Sequence, residues 1–148
     1  MEILSLKLNT KENFGISSEY VLHISQKMDI SSTSCLNDKV EGMISFRENI
    51  IPVLKMSSIT REETGDAHIV VILKDEETGN MFGLLAEKVN EVIEIEEKNI
   101  FDVKNIFLGE SSNYITHVAK KTDDILISVL NIPGLQRMFK LNEQSLNQ

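Results

Sequence analysis

The sequence lacks tryptophan, and aromatic residues make up only 5% of its 148 positions. A core with few large rings must be built from aliphatic side chains, chiefly Ile, Val and Leu with some Met. Long apolar runs are missing too, because none approaches the roughly 20 residues that span a bilayer. The first residues, MEILSLKLNT, show no basic stretch followed by an apolar one, as a secretory signal would. We therefore expect a cytoplasmic protein that does not insert into a membrane.

Cysteine and basic charge are also scarce. Cys35 is the only cysteine, which excludes an internal disulfide and a multi-cysteine metal site and fits a reducing compartment. No histidine lies near Cys35 in the sequence, so we interpret it as a structural residue rather than a catalytic thiol. The net charge of −8 argues against a nucleic-acid partner and against adsorption to anionic lipid.

What the chain does contain is a series of short β-type segments separated by turn residues. Residues 3–8 alternate, with Leu4, Leu6 and Leu8 on one face, and predict a half-buried strand. The apolar run at 69–74 predicts a strand that is buried on both faces. Other strands, several of them in hairpins, are predicted at 14–16, 43–46, 50–56, 81–95, 114–120 and 125–130.

Several residues and segments within and between these strands allow a prediction of local conformation. Gly79 is expected to take a positive φ in a turn, and Gly83 to mark a bulge or a close backbone approach. Pro52 requires either a strand edge or a bulge, because it has no N–H to donate. Residues 17–28 fit either a short helix or an irregular extended segment. The polar stretches are expected to be loops: 29–39, 57–67 and 96–113.

The end of the chain has a different period. Ile132, Leu135, Met138 and Phe139 are spaced as on one face of a helix, with Asn131 as a cap and a proline in the first turn. The helix is expected to fray by residue 141, which leaves a loose tail at about 142–148. Strands followed by one closing helix predict a mainly β, barrel-like single domain over 1–148, or two small intertwined halves.

Groups that carry catalysis are dispersed. His23, His68 and His117 are far apart and lack metal-ligand spacing, and Gly79 and Gly83 match no phosphate-binding loop. The carboxylates follow no calcium-loop pattern either. We therefore expect no catalytic residue, no metal and no cofactor, and we expect a binding module. A paired-carboxylate hydrolase stays open, since spatial neighbours are not visible in a sequence.

Three segments, in order, resemble the signatures of the CheW-like family of chemotaxis coupling proteins. The first is Gly42-Met-Ile-Ser-Phe-Arg47 followed by a β-run that ends in Pro52-Val53. The second is IVVILKDEETGNMFGLLAEKVNEVIEI, in which Gly83, Leu84, Val89, Glu91 and Val92 are in step with the family pattern. The third is YITHVAKKTDDILISVLNIPGLQRMF. Together the resemblance covers about residues 3 to 140.

The resemblance implies two intertwined five-stranded SH3-like β-barrels around a shared core, with a short C-terminal helix. It also implies an adaptor that bridges the cytoplasmic tips of methyl-accepting chemoreceptors to the regulatory domain of the histidine kinase CheA. In the family, the kinase domain packs barrel to barrel, and the receptor tip lies in a groove between the barrels.

The same resemblance suggests five partner-binding residues: Arg47, Glu48, Val89, Glu91 and Val92. Arg47 is expected either to contact a partner carboxylate or to brace its own turn by bonding backbone carbonyls. Val89 and Val92 are expected either to line the apolar groove or to belong to the barrel core.

The sequence departs from the family at three positions. Glu48 and His117 replace glycines, and Glu87 replaces an aspartate. Glu48 removes a residue that takes a positive φ at low cost, which questions both the turn geometry and the usual partner. Two alternatives therefore stay open: a scaffold for a different sensory array, and a small-molecule-binding or hydrolytic β-barrel enzyme.

Overall fold

The computed structural model describes residues 1–8, 11–26, 30–31, 40–55, 68–105 and 114–137. Eleven strands lie in these ranges: β1 (Glu2–Lys7), β2 (Phe14–Ser17), β3 (Val21–Ser25), β4 (Val40–Phe46), β5 (Asn49–Leu54), β6 (Ile69–Lys74), β7 (Met81–Ala86), β8 (Lys88–Glu94), β9 (Ile100–Asp102), β10 (Ile115–Thr122) and β11 (Ile125–Leu130).

The strands form two sheets, and we call the subdomains that they build the first and second barrels. The first barrel has six strands in the order β8-β1-β2-β11-β10-β9, and the second has five in the order β3-β6-β7-β5-β4. The chain starts in the first barrel, builds the second, and returns to the first at β8. The predicted mainly β architecture of two intertwined subdomains is thus confirmed. The first sheet gains a sixth strand because the short β9 joins its edge beside β10.

The chain crosses between the barrels at two places. The first crossing is a 3-10 turn, Ser18–Tyr20, which leads directly into β3. The helix reading of residues 17–28 is therefore wrong for the described part of that segment. Val21 and Ile24 are three positions apart, as on one face of a helix, but they belong to a strand. The pairing of β3 with β6 is irregular between Val21 and His23, and this irregularity puts Val21 and Ile24 on the same face of the strand.

The second crossing divides the single strand predicted at 81–95. The chain bends at Glu87, so that β7 belongs to the second barrel and β8 to the first. The Glu87 N–H donates to the carbonyl oxygens of Lys7 and Leu8, at 2.9 and 3.1 Å, which fixes the crossing against the end of β1. Gly83, just before the crossing, makes the expected close approach, since a Cβ there would lie 3.2 Å from Val53 Cγ2.

Strand β1 faces two cores. Leu4, Leu6 and Leu8 pack into a large cluster that also takes most of the second barrel's interior, whereas Ile3 packs into a small cluster inside the first barrel. Ser5 is also buried, so the prediction of a half-buried strand is wrong. The predicted alternation of the side chains along β1 is correct. The face with Ser5, which was expected to be exposed, is instead covered by the first barrel itself.

Most of the predicted turns and hairpins are present. Strands β4 and β5 form one hairpin and β10 and β11 another, and Gly79 has a φ of 74° in the β6–β7 turn. Pro52 lies opposite Met43, whose N–H and C=O both bond Ser31, so this position of the ladder needs no N–H from Pro52. The segment 96–105, expected to be loop, instead holds β9 between two 3-10 turns, Glu97–Asn99 and Val103–Asn105.

The closing helix is described over residues 132–137. Asn131 caps it, because its Oδ1 accepts a hydrogen bond of 3.0 Å from the Gly134 N–H. Ile132 and Leu135 are fully buried in the shared cluster, as the predicted stripe requires. The expectations for Cys35, Met138, Phe139 and the tail lie outside the described residues. In the part of the chain that the structure describes, no helix is long and apolar enough to cross a membrane.

Candidate partner-binding surface

The tip of the β4–β5 hairpin consists of Arg47 and Glu48. Phe46 pairs with Asn49, so the loop has only two residues. Their φ values are 48° and 69°, both in the left-handed region that a two-residue type I′ hairpin turn uses. The Asn49 Nδ2 donates to the Arg47 carbonyl oxygen at 3.1 Å, and this bond supports the turn. The turn keeps its usual backbone shape although glycine is absent.

This backbone shape costs energy. A residue with a side chain in the left-handed region is less stable by about 1–2 kcal/mol than in the right-handed one. Among the described residues other than glycine, only Arg47 and Glu48 have a positive φ. Asn-Gly would make the same turn with less strain. Strained residues that persist at an exposed position are typical of functional surfaces.

The Arg47 side chain lies on an aromatic ring. Its guanidinium carbon is 4.8 Å from the centroid of the Phe46 ring, the geometry of a cation–π contact. The Phe46 ring stacks in turn on His23 of β3, with centroids 5.2 Å apart and planes 29° apart. Within the described residues, neither Arg47 nor Glu48 has an ion-pair partner. Arg47 is exposed, and its two expected roles, contact with a partner carboxylate and bracing of its own turn, both stay predictions.

The surroundings of the tip include an exposed apolar side chain. Ile50, the second residue of β5, is 67% exposed, more than any other large apolar side chain described. It lies opposite Ser45 on the outer face of the hairpin. A charged pair beside an exposed isoleucine has the mixed composition that is common at protein–protein contacts.

The other three predicted residues lie on β8, at the edge of the first barrel. A bulge in the pairing with β1 leaves Asn90 out of the register, so Val89 lies opposite Leu6 and Val92 opposite Leu4. Both valines therefore share the face that carries the large cluster. Val89 packs against that cluster, whereas Val92 is 56% exposed. The two valines thus form an apolar strip that runs from the shared core out to solvent.

Glu91 lies on the opposite face of β8. It is opposite Ser5, and its Oε1 accepts a hydrogen bond of 2.7 Å from Lys121 Nζ on β10. The structure does not place Glu91 beside Val89 and Val92, although the three are close in sequence. Its role in partner binding stays a prediction. Four of the five residues therefore form two groups, the Arg47–Glu48 tip of the second barrel and the Val89–Val92 strip of the first, and Glu91 belongs to neither.

His117, which replaces a family glycine, lies on β10 opposite Val129 of the first barrel's interior. It lines a cavity of about 150 Å³ together with Ser17, Glu19 and Tyr20. Its Nδ1 is buried and has no hydrogen-bond partner among the described residues. Burial raises the pKa of the Tyr20 phenol, and the carboxylates of Glu19, Asp75 and Glu77 raise it further.

Two residues of the surface were not predicted from the sequence. From the sequence, Phe46 has only a place in the strand at 43–46 and in the first family segment, and His23 has no partner. For Phe46, the one sequence feature that could have indicated its contact with Arg47 is that the two residues are adjacent. His23 has no such feature, because the strand that carries it was not recognised and its partner is 23 positions away.

Comparison with known proteins agrees with this architecture. The model of a family described as the CheW-like domain matches residues 2–139. A relative from Treponema pallidum, described as "Chemotaxis protein CheW", is 27% identical over 132 residues, which cover 84% of this chain and 76% of the relative.

A solved structure is similar as well. The scaffolding protein TtCheW from Thermoanaerobacter tengcongensis superposes with a TM-score of 0.76 and covers 88% of both chains, at 24% sequence identity. At that identity the likeness supports the fold, and the family match supports the assignment of the domain.

Proposed function

We propose that this chain, which belongs to the CheW-like domain family, is a non-catalytic adaptor that couples chemoreceptor cytoplasmic tips to the histidine kinase CheA. It would act in the cytoplasm, at receptor arrays on the inner face of the membrane. The main support is the family match, which spans both barrels rather than one of them. The curated relative and the structural neighbour are both CheW proteins, one of them described as a scaffold.

The two surfaces suit two partners. The Val89–Val92 strip is apolar, runs out from the shared core, and matches the apolar face of an amphipathic helix such as a receptor tip presents. The Arg47–Glu48 tip is charged and strained, and suits a partner with a complementary charge pair. An adaptor needs two such sites, so that one partner does not displace the other.

The direct test is a reconstitution of the protein with a receptor cytoplasmic fragment and CheA, with kinase activity as the readout. We expect receptor control of the kinase only when the adaptor is present. Pull-downs with each partner alone show which surface serves which partner. Binding to neither the receptor fragment nor the kinase regulatory domain would refute the proposal.

A charge reversal tests the tip. Arg47→Glu should weaken binding to at least one partner by about tenfold or more, because it replaces the attractive charge with a repulsive one. Thermal unfolding should change little, since the guanidinium has no ion pair with another residue that the structure describes. Lys11→Glu, at another exposed cation, is the matched control and should bind normally. A large drop in the melting temperature with unchanged binding would show that Arg47 is structural.

The second candidate is a scaffold of the same kind for a different sensory pathway. Glu48 favours it, because it adds a negative charge where the family usually has glycine. Binding to a receptor fragment and a kinase other than CheA, with no binding to CheA, would support this alternative.

The enzyme alternative has one observation behind it, since Ser17, Glu19 and His117 line one cavity. The geometry does not suit nucleophilic catalysis. The Ser17 hydroxyl donates to Glu19 at 3.5 Å, and His117 Nδ1 has no partner in the described part of the chain. A nucleophile must contact its base. The described residues also contain no cluster of three or more metal-ligating side chains.

A further inference from the structure

The seam of the second barrel lies beside the Arg47–Glu48 tip. Strands β3 and β4 are the two edges of the five-stranded sheet and are not hydrogen-bonded to each other. Midway along β4, Met43 pairs with Ser31 instead of with β3. At the end of β4, the ring of Phe46 meets the ring of His23. The stack is thus a contact between β3 and the residue that precedes the tip.

The order of the stack is informative. His23 lies on one strand edge, Phe46 on the other, and the Arg47 guanidinium lies over the Phe46 ring. Phe46 is partly buried against the shared core, whereas His23 and Arg47 are exposed. Contact with His23 restricts the orientations that the Phe46 ring can adopt. The guanidinium that rests on that ring is in turn held in place, although no hydrogen bond or ion pair to another described residue is seen.

We propose that His23 is a positioning residue for Arg47, acting through the Phe46 ring. The stack orients the guanidinium before a partner arrives, and so reduces the entropy lost on binding. The ligand of the oriented guanidinium is a carboxylate on the partner, which a planar guanidinium binds through two parallel hydrogen bonds. The role of the carboxylate rests on the proposed function, whereas the positioning of Arg47 does not.

The first measurement needs no partner. Ring-current shifts and relaxation of the Arg47 side-chain NMR signals report whether the guanidinium stays on the ring. His23→Val keeps a β-forming residue but removes the ring. We expect the Arg47 signals to move towards random-coil values and to become more mobile. His23→Phe keeps a ring and should preserve the shifts. Ile24→Thr, on the other face of the same strand, is the control and should change nothing. Unchanged Arg47 signals in His23→Val would overturn the proposal.

The second measurement is a double-mutant cycle on partner affinity. His23→Val should weaken binding by roughly two- to fivefold, the scale of one exposed cation–π contact, and His23→Phe should restore it. In an Arg47→Ala background, His23→Val should have no further effect, because its action passes through Arg47. An equal loss in both backgrounds would make His23 a contact residue and overturn the proposal. If the wild type binds no partner, the proposed function fails and the NMR result alone decides on positioning.

Discussion

In the second barrel the two edge strands meet through rings, whereas in the first barrel the edge strand β8 is linked by charges to β10, the neighbour of the other edge strand β9. In the second, His23 on β3 stacks on Phe46 on β4. In the first, Lys121 on β10 pairs with Glu91 on β8 at 2.7 Å. The N-terminal ammonium makes another ionic contact, to Glu94 at 2.9 Å, from the residue before β1 to the neighbouring strand β8. The contacts across the two barrels thus use two chemistries that respond differently to salt.

The barrels otherwise share a local pattern. Each has a short parallel pair of strands with a glycine opposite a valine: Gly15 opposite Val129 in the first, and Gly83 opposite Val53 in the second. Each glycine follows a buried phenylalanine. Parallel strands from distant parts of the chain approach closely there, so a side chain would be in the way. The two halves therefore repeat one architectural solution, and their differences lie in the seams and the tips.

The interiors differ in size, and this gives the largest expected effect. Leu6 and Ile3 lie on the same strand and are both fully buried, but Leu6 belongs to the large shared cluster and Ile3 to the small one. Each mutation to Ala should cost about 2–5 kcal/mol of unfolding free energy by denaturant titration. Leu6→Ala should speed hydrogen exchange in both sheets, and Ile3→Ala mainly in the first. Equal acceleration of both sheets by Ile3→Ala would contradict the division into two clusters.

The paired glycines give the next effect. A Cβ on Gly15 would lie 2.5 Å from Ile3 Cγ2 and 2.8 Å from Ile127 Cγ2, closer than the 3.2 Å approach at Gly83. Gly15→Ala should therefore destabilise by about 1–3 kcal/mol through overpacking. Gly83→Ala should cost less. Chemical denaturation compares the two, and a larger loss at Gly83 would show that the second barrel is the more tightly packed.

The ring contact of the second barrel and the ion pair of the first should differ in how their contributions to stability depend on salt. Phe46→Leu removes the ring stack and should cost about 1 kcal/mol at any ionic strength. Glu91→Gln removes a half-exposed ion pair and should cost below about 1 kcal/mol at low salt and almost nothing in 1 M NaCl. Unfolding at two salt concentrations makes the measurement. A salt-dependent loss for Phe46→Leu would show that the ring seam is not what closes the second barrel.

The hairpin tips differ in backbone strain. The β4–β5 tip has two residues with positive φ, whereas the β10–β11 tip, around Asp123 and Asp124, has none. Glu48→Gly should raise the unfolding free energy by about 0.5–1 kcal/mol, because glycine takes a φ of 69° without strain. Asp124→Gly, the matched control, should not stabilise. If Glu48 serves a partner, Glu48→Gly also weakens binding while it stabilises the fold.

The crossing between the barrels gives the smallest effect. Burial first, and neighbouring carboxylates second, raise the pKa of Tyr20 above its usual value near 10. The folded protein thus holds the phenol proton more tightly than the unfolded chain. This contribution to stability is complete below pH 10 and is lost as pH rises through the folded pKa. Tyr20→Phe should flatten the fall in stability above pH 10. An unchanged alkaline profile would show that another group controls it.

Local patterns predicted most of the elements. Alternation and turn residues gave β1, the two hairpins and the buried β6, and Asn131 gave the helix cap. The strands that were not predicted share a physical cause. The segments 17–28 and 96–105 carry short strands at sheet edges, where neither face is fully buried and the hydrophobic period is weak. The break at Glu87 was invisible because both of the strands that it joins are β-rich.

The candidate surface was predicted less completely. Arg47 and Glu48 were located correctly at a hairpin tip, and the family resemblance singled out Val89, Glu91 and Val92. The bulge at Asn90 then decided which of these share a face. It puts Val89 and Val92 together although three positions separate them, and it turns Glu91 towards Lys121.

The sequence by itself determined the aliphatic core, the β-rich pattern, the family, and the Arg-Glu pair at a tight turn. These follow from composition and from interactions between residues close in the chain, which local periodicity records. Only the tertiary structure decided that β1 serves two cores, that His23 meets Phe46, and that Glu91 pairs with Lys121. Those contacts join residues between 23 and 90 or more positions apart, as in Met1 with Glu94, and depend on register and sheet order. A one-residue shift of register would undo each of them, and no local pattern carries that information.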